Sequence, residues 1–367
     1  MAIDVTSLIG LRTGVGNAVA ATFAALAQHA DPPRLVPYAL SLRARDHRSE
    51  LPDNTVFPPI PASVALRAWT RAERPSLDRW FRPADVVHAT NYVTPPSALP
   101  TVVTIHDCAF VRYPELASDD ARAFEPMIRR AIRRGATVHT PSQFVAHEVD
   151  EIFGSGLLRA GRIVVIPWGI PSVLPDLGLS EALRDQIADR PFVLSLGTVE
   201  PRKNLPHLVA AFGRAATEHT ELVLVIAGPD GSASHAVRTA IDALPERRRD
   251  RVLRVGAVDE RDRSALLHRA AALAYPSISE GFGFPVLEAM VARTPVVAAR
   301  AGSIPEIASD AALLVDATDE DALAAALLEL LRPEVAADLV ARGLTRVASY
   351  DWATTASGLV DLYRDVT

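Results

Sequence analysis

Lys203 is the single lysine among the 38 lysines and arginines of the chain. It lies in GTVEPRKN (197–204), directly after Arg202 and six residues after Gly197. An arginine can grip one phosphate bidentately, and a lysine adds a compact, mobile charge on a neighbouring oxygen. Placed together after a glycine turn, the two cations suit a diphosphate whose bond to another group is breaking. A second stretch, SEGFGFPVLEAM (279–290), brings complementary parts. Gly281-Phe282-Gly283-Phe284 leads into an apolar run opening at Pro285, a residue suited to the first position of a helix. A helix start offers unpaired N–H groups and the positive end of the dipole to an anion, and glycines let the ligand approach the backbone. Glu280 and Glu288 bracket this loop. Singly they read as a solvated loop end and as dipole compensation in a first helical turn. Together with the two glycines they read as a nucleotide site.

The surrounding elements must bring these stretches together. Short apolar, β-branched runs recur at 3–8, 34–40, 85–90, 101–107, 137–142 and 162–169. A second series falls at 192–197, 222–228, 251–256, 272–277, 295–300 and 312–316. Their apolar character is continuous rather than alternating, which predicts parallel strands covered on both faces. Helical patterns such as 16–29 and 205–219 separate them, so the expectation is an α/β chain of two Rossmann-like, doubly wound domains facing across a cleft. PWGIPSVLPDLGLS (167–180) has no periodicity and reads as the linker. The expected domains are 1–170 and 171–347, with a last amphipathic helix in 348–367 packing back on the first domain. Ligands bind at the carboxyl ends of parallel strands, which places Arg202, Lys203 and the 281–284 loop in one cleft. It also puts His106, at the end of TVVTIHD (101–107), at the cleft mouth. Asp107 is then either a structural hydrogen bonder or a loop anchor, because adjacent strand residues point to opposite faces.

Composition narrows the class. With 367 residues and 49% hydrophobic residues, the chain is an ordinary globular protein of about two domains. Eighteen arginines face 16 acids in residues 1–170, and 20 basic residues face 28 acids beyond. Neither half is basic enough for a nucleic-acid partner. One cysteine, Cys108, fits a reducing, cytoplasmic compartment. MAIDVTSLIGLRTG lacks the features of a secretory leader, and no run of about 18 apolar residues predicts a membrane span. Segment 62–84 combines Trp69, Trp80 and Phe81 with five arginines. It reads as a helical insert whose aromatics pack on the domain, the sharper alternative being an acceptor or membrane-surface contact. Arg129, Arg130, Arg133 and Arg134 read as the solvated face of a crossover helix, with weak peripheral contact at the inner face of a membrane as the alternative.

EGFGFPVLE resembles the E-x7-E signature of retaining GT-B glycosyltransferases of family 4, a group that includes mannosyltransferases. GTVEPRKN is similar to that family's diphosphate-clamping segment. TGVGN (13–17) resembles its first-strand glycine loop, and HATNY (88–92) and TIHD (104–107) its acceptor-side strands. IPWG (166–169) resembles its interdomain entry and GSIPE (302–306) the segment after its donor loop. The resemblance implies that the first domain binds acceptor and the second a nucleotide sugar. It implies that Arg202 and Lys203 hold the diphosphate, Glu288 the ribose hydroxyls, and the backbone of Gly281–Phe284 the sugar and phosphates. Glu280 would lie against the transferred sugar and His106 would touch it from the other domain. Gly14, Gly16 and Gly197 would admit ligand close to the backbone, and Glu306 is a weaker carry-over.

No close carboxylate pair offers the nucleophile of a double displacement. The resemblance implies instead a same-face substitution in which the leaving phosphate takes the acceptor's proton. No metal or other cofactor is expected, since Asp319-Glu320-Asp321 reads as helix-cap chemistry. The resemblance leans towards mannose from GDP-mannose, passed to a sugar, polysaccharide or lipid-linked acceptor. UDP- and dTDP-sugars, or a GT-B nucleotide-sugar epimerase, are the alternatives. A Rossmann dehydrogenase lacks its third glycine after Gly14-Val15-Gly16.

Overall fold

The computed structural model describes all residues except 11–13, 42–46, 61, 70, 71, 118, 171 and 172, and except the side chains of 62, 63, 119 and 120. Thr13 of the glycine loop, Arg71 of the insert and Pro171 of the linker therefore lie outside the described residues.

Each of the twelve apolar runs holds a strand, with β1 starting one residue ahead of its run. The first six are β1 (Ala2–Asp4), β2 (Val36–Tyr38), β3 (Val87–Ala89), β4 (Thr101–Thr104), β5 (Thr137–Thr140) and β6 (Ile163–Val165). The second six are β7 (Phe192–Leu196), β8 (Val223–Ala227), β9 (Val252–Gly256), β10 (Ala272–Tyr275), β11 (Val296–Ala299) and β12 (Leu313–Val315). They form two all-parallel six-stranded sheets, ordered β2-β1-β3-β4-β5-β6 and β12-β11-β10-β7-β8-β9. The strands are shorter than the apolar runs because several runs continue into buried loops, as Ile105 does beyond β4. β7 and β8 are buried along their whole length, as expected of strands with helices on both faces.

Two compact units result. One comprises Met1–Pro171 together with Tyr350–Thr367, the other Ser172–Ser349. In the second unit, helices Leu205–Glu218 and Glu320–Leu330 close one core against the sheet through Leu208, Phe212, Leu224, Ile226, Leu323 and Leu327. Asp319 caps the latter helix by accepting from the Ala322 N–H at 2.8 Å, the cap chemistry its sequence context predicts. Proline occupies the first turn of helices at 205–218, 284–291, 304–308 and 333–347, where its missing N–H costs nothing.

In the first unit the insert packs as its composition predicts. Trp69 and Phe81 are fully buried with Tyr38 and Leu77, and Trp69 donates to the Pro75 carbonyl. Arg79 stacks 3.7 Å from the centre of the Trp80 ring. The arginine helix, Phe124–Arg133, departs from the expectation of a wholly solvated face. Arg130 is buried, donates to the Thr94 carbonyl and pairs with Glu73 at 3.3 Å. A guanidinium can be sunk here because Glu73 and Thr94 replace water at its two terminal nitrogens. The last helix, Trp352–Val366, lies in this unit. Gly169 makes room for it, since a Cβ there would stand 2.4 Å from the Trp352 nitrogen. Among the described residues no helix is long and apolar enough to cross a membrane.

Candidate active site

Counted from β7, the order of the second sheet is third, second, first, fourth, fifth, sixth. The direction of winding reverses between β7 and β10, and a crevice opens at such a reversal beyond the carboxyl ends of the strands. Both chemically suggestive stretches leave the sheet there. GTVEPRKN follows β7 and SISEGFGF follows β10. Gly197 leaves β7 at φ +130°, where a Cβ would crowd the Lys203 side chain at 3.3 Å. Pro201–Lys203 then form a single 3-10 turn. The Ile278 N–H donates to the Arg202 carbonyl at 2.9 Å, tying the two loops together.

The cations meet on one carboxylate. Lys203 Nζ lies 2.7 Å from Glu280 Oε1, and Arg202 Nη1 lies 2.7 Å from the same oxygen. Arg202 Nε also donates to Glu200 at 3.0 Å. Tyr275, the last residue of β10, receives a second Lys203 hydrogen bond at 2.7 Å, and its ring centre lies 4.5 Å from the ammonium. Glu280 is only 8% exposed, so the reading of it as a solvated loop end does not hold. Burial alone would raise its pKa, but Arg202 and Lys203 outweigh burial and bring it down to about 2. Burial lowers the pKa of Lys203 while Glu280 opposes the shift. The result is an ion cluster in which two cations meet on the buried Glu280, with the more exposed Glu200 holding Arg202 from the rim.

Helix Phe284–Val291 begins one residue earlier than its sequence predicts. Gly283 adopts φ +92° at its start, and a Cβ there would meet Ile304 Cδ1 at 2.5 Å. The first turn carries no acid and no side-chain cap. Glu288 consequently belongs to the second turn, which corrects its reading as a dipole-compensating first-turn acid. It is buried and ion-paired with Arg263. Burial raises its pKa, and Arg263 opposes the rise. Phe282 and Phe284 meet edge to face at 5.1 Å beside Gly281 and Gly283. Glu306 lies in the first turn of helix Ile304–Ala308.

Sequence reasoning missed several contributors here. Gly302, at φ +59°, lets Glu280 settle, because a Cβ there would lie 2.6 Å from the Glu280 backbone nitrogen and oxygen. Gly228 does the same for β7, since a Cβ would lie 2.0 Å from the Gly197 carbonyl oxygen. Tyr275 and Arg263 were overlooked as well. A phenol ending an otherwise aliphatic strand beside the SEG loop was the available signal for Tyr275.

In the first unit, His106 lies two residues beyond β4 and is 7% exposed. Its Nε2–H donates to the Thr90 carbonyl at 2.8 Å. Burial lowers its pKa to about 4, so the ring is a neutral hydrogen-bonding group. Asp107 accepts from the Ala109 N–H at 3.0 Å and opens the short helix Ala109–Arg112. Gly14 begins helix Gly14–Ala27 with no described atom within 4 Å of a Cβ, and Gly16 is buried one turn-step on.

A polar chain runs behind His106. The Ile166 carbonyl can only accept, so His139 Nε2 donates to it at 3.0 Å. His139 Nδ1 then accepts from Thr104 at 2.9 Å. Thr104 in turn accepts from His88 Nε2 at 2.8 Å, and His88 Nδ1 accepts from the Tyr363 hydroxyl at 2.8 Å. Both histidines are held neutral by burial, His139 with a pKa lowered to about 4 and His88 well below its usual range.

Residues 183–343 match the family described as Glycosyl transferases group 1, and residues 12–172 match Glycosyltransferase Family 4. Among curated proteins, the chain is 28% identical to O-antigen chain mannosyltransferase B of Escherichia coli, over 76% of this chain and 74% of that one. It is 32% identical to a D-inositol 3-phosphate glycosyltransferase of Xylanimonas cellulosilytica, over 81% and 75%. It is 30% identical to a glycogen synthase of Mycobacterium tuberculosis, over 81% and 72%. Among solved structures it resembles the sucrose-phosphate synthase of Thermosynechococcus elongatus, with TM-score 0.72 and 23% identity over 99% and 98% of the two chains. It also resembles Anabaena Alr3699/HepE in complex with UDP and glucose, with TM-score 0.72 and 18% identity over the full length of both. With two parallel sheets of this order, a cation cluster at the winding reversal and these relatives, the chain belongs to glycosyltransferase family 4, as a retaining enzyme that draws on a nucleotide sugar.

Proposed function

We propose that the protein transfers mannose from GDP-mannose to a sugar, polysaccharide or lipid-linked acceptor. The convergence of Lys203 and Arg202 at the winding reversal between β7 and β10 carries the donor half of this reading. Two cations on one buried oxygen have the spacing a phosphate needs. The uncapped start of helix Phe284–Val291 adds N–H donors beside them. In the reaction the bond from the anomeric carbon to the diphosphate breaks, and the acceptor oxygen bonds to that carbon from the same face. The acceptor's proton passes to the departing phosphate oxygen. Arg202 and Lys203 stabilise the charge that develops, the buried Glu280 carboxylate lies beside the transferred sugar, and Glu288 accepts from ribose hydroxyls. Gly281 through Phe284 supply backbone donors, with Gly197 leaving room for the diphosphate. His106, Gly14 and Gly16 act from the first unit, which takes the acceptor.

The mannose assignment is supported by the E. coli O-antigen relative. A donor panel of GDP-mannose, UDP-glucose, UDP-N-acetylglucosamine and dTDP-rhamnose tests it, with nucleoside diphosphate release as readout. GDP release is expected; turnover confined to a UDP- or dTDP-sugar would overturn the mannose reading while leaving the site intact.

A further inference from the structure

Tyr275 is almost fully buried at the carboxyl end of β10, and none of the family motifs contains it. Lys203 Nζ has only protons to give, so the phenol oxygen at 2.7 Å accepts from it. Lys203 thus bonds both the tyrosine and the glutamate.

This arrangement poses a problem for phosphate binding. Both cations already share Glu280 Oε1, so an incoming phosphate must compete with an anion fixed in place. A lysine stem is long and its ammonium is a point charge, free to follow whichever anion holds it. Glu280 is such a competitor. Tyr275 is not, because it is neutral, anchored on a strand, and offers a lone pair and a ring face that an anion cannot occupy. We propose that Tyr275 is a positioning residue for the donor diphosphate: it keeps the Lys203 ammonium at the end of β10 while that ammonium exchanges Glu280 for a phosphate oxygen. The inference rests on the reading of Arg202 and Lys203 as phosphate-binding cations.

Calorimetric titration with GDP, UDP, dTDP and ADP, and with the corresponding nucleosides, tests it in four proteins: wild type, Tyr275→Phe, Lys203→Ala and the double variant. Tyr275→Phe keeps the ring and removes the oxygen. It should weaken the preferred diphosphate by about tenfold, as loss of a hydrogen bond to a charged group does, and leave the nucleoside unchanged. In the Lys203→Ala background the same substitution should have no effect. Wild-type affinity in Tyr275→Phe, or an equal loss with and without Lys203, would overturn the inference. A wild-type protein that binds none of the four diphosphates would overturn the phosphate reading itself. Because the chain has one lysine, selective lysine labelling supplies a second measurement in the unmutated protein. The ring-current shift of the Lys203 side chain should persist when diphosphate is added, and its disappearance on binding would count against Tyr275 as the anchor.

Discussion

A carboxylate shared by two cations in a dry setting is held mainly by charge, and the same charge discourages any other anion. Replacing Glu280 by glutamine keeps the shape and removes the competitor. Glu280→Gln should therefore bind nucleoside diphosphate more tightly, by several-fold in a direct titration, while turning over more slowly because the sugar loses its carboxylate. Unchanged or weaker diphosphate binding would mean the cations do not serve a phosphate. Lys203→Ala and Arg202→Ala should each lower turnover by roughly two orders of magnitude, the usual effect of removing a stabiliser of transition-state charge. Steady-state kinetics near wild type for Lys203→Ala would contradict the clamp.

At the scale of elements, the glycines divide into those the fold requires and those it does not. Gly302 has a positive φ and a Cβ would strike the Glu280 backbone. Gly302→Ala should cost about 1–3 kcal/mol in stability and displace the carboxylate. At Gly14 nothing described crowds a methyl group, so Gly14→Ala should preserve the melting temperature. If ligand approaches this helix start, the variant should still lose activity, and full activity would remove Gly14 from the site. The same division explains what could be seen in advance. Strand placement was legible because β-branched runs between helical patterns state their own period. Arg202, Lys203 and Glu280 stood out in the sequence because the chain's one lysine followed an arginine after a glycine turn and Glu280 opened a double-glycine loop. Tyr275, Gly228 and Gly302 were not, because each acts on a residue distant in sequence: Gly228 on Gly197, Gly302 on Glu280, Tyr275 on Lys203. Arg263 was invisible for the same reason, and with it the burial of Glu288. Arg130 looked like its solvated neighbours until tertiary packing supplied Glu73 and the Thr94 carbonyl.

At the scale of the whole molecule, the first unit carries a pH liability. His88, His106 and His139 are neutral in the fold, with pKa values pushed below the unfolded value of 6.5. Groups of this kind stabilise fully above about pH 6.5, and the benefit fades as pH falls towards 4, because the unfolded chain takes up protons that the fold refuses. Asp4 works in the opposite sense. Burial raises its pKa to about 6, so its charge penalises the fold above that pH and the penalty is relieved on acidification. Glu148 and Glu288, whose pKa values burial also raises, act in the same sense as Asp4; the three histidines, which in the unfolded chain take up protons within this pH range, outweigh them and leave a net loss. Urea midpoints should drop between pH 7.5 and pH 5, and a midpoint that is flat or rises would show that the polar chain tolerates protonation.

That chain ends on Tyr363, in the helix that follows the second unit in sequence but packs in the first. Deleting residues 350–367 would strand His88 and bare the apolar surface against which Leu359, Val360 and Leu362 are buried, so the 1–349 product should fail to give a cooperative melt. A spliced gene offers the contrast. The Ile170 N–H reaches the Tyr350 carbonyl at 3.3 Å, so the two points where the backbone leaves and re-enters are neighbours. A few glycines and serines could close that gap, leaving a half-size protein with native ends. The excised cassette, 172–349, is continuous and needs no repair. With donor and acceptor divided between the units as proposed, the two specificities become exchangeable between homologues on one uninterrupted piece of DNA.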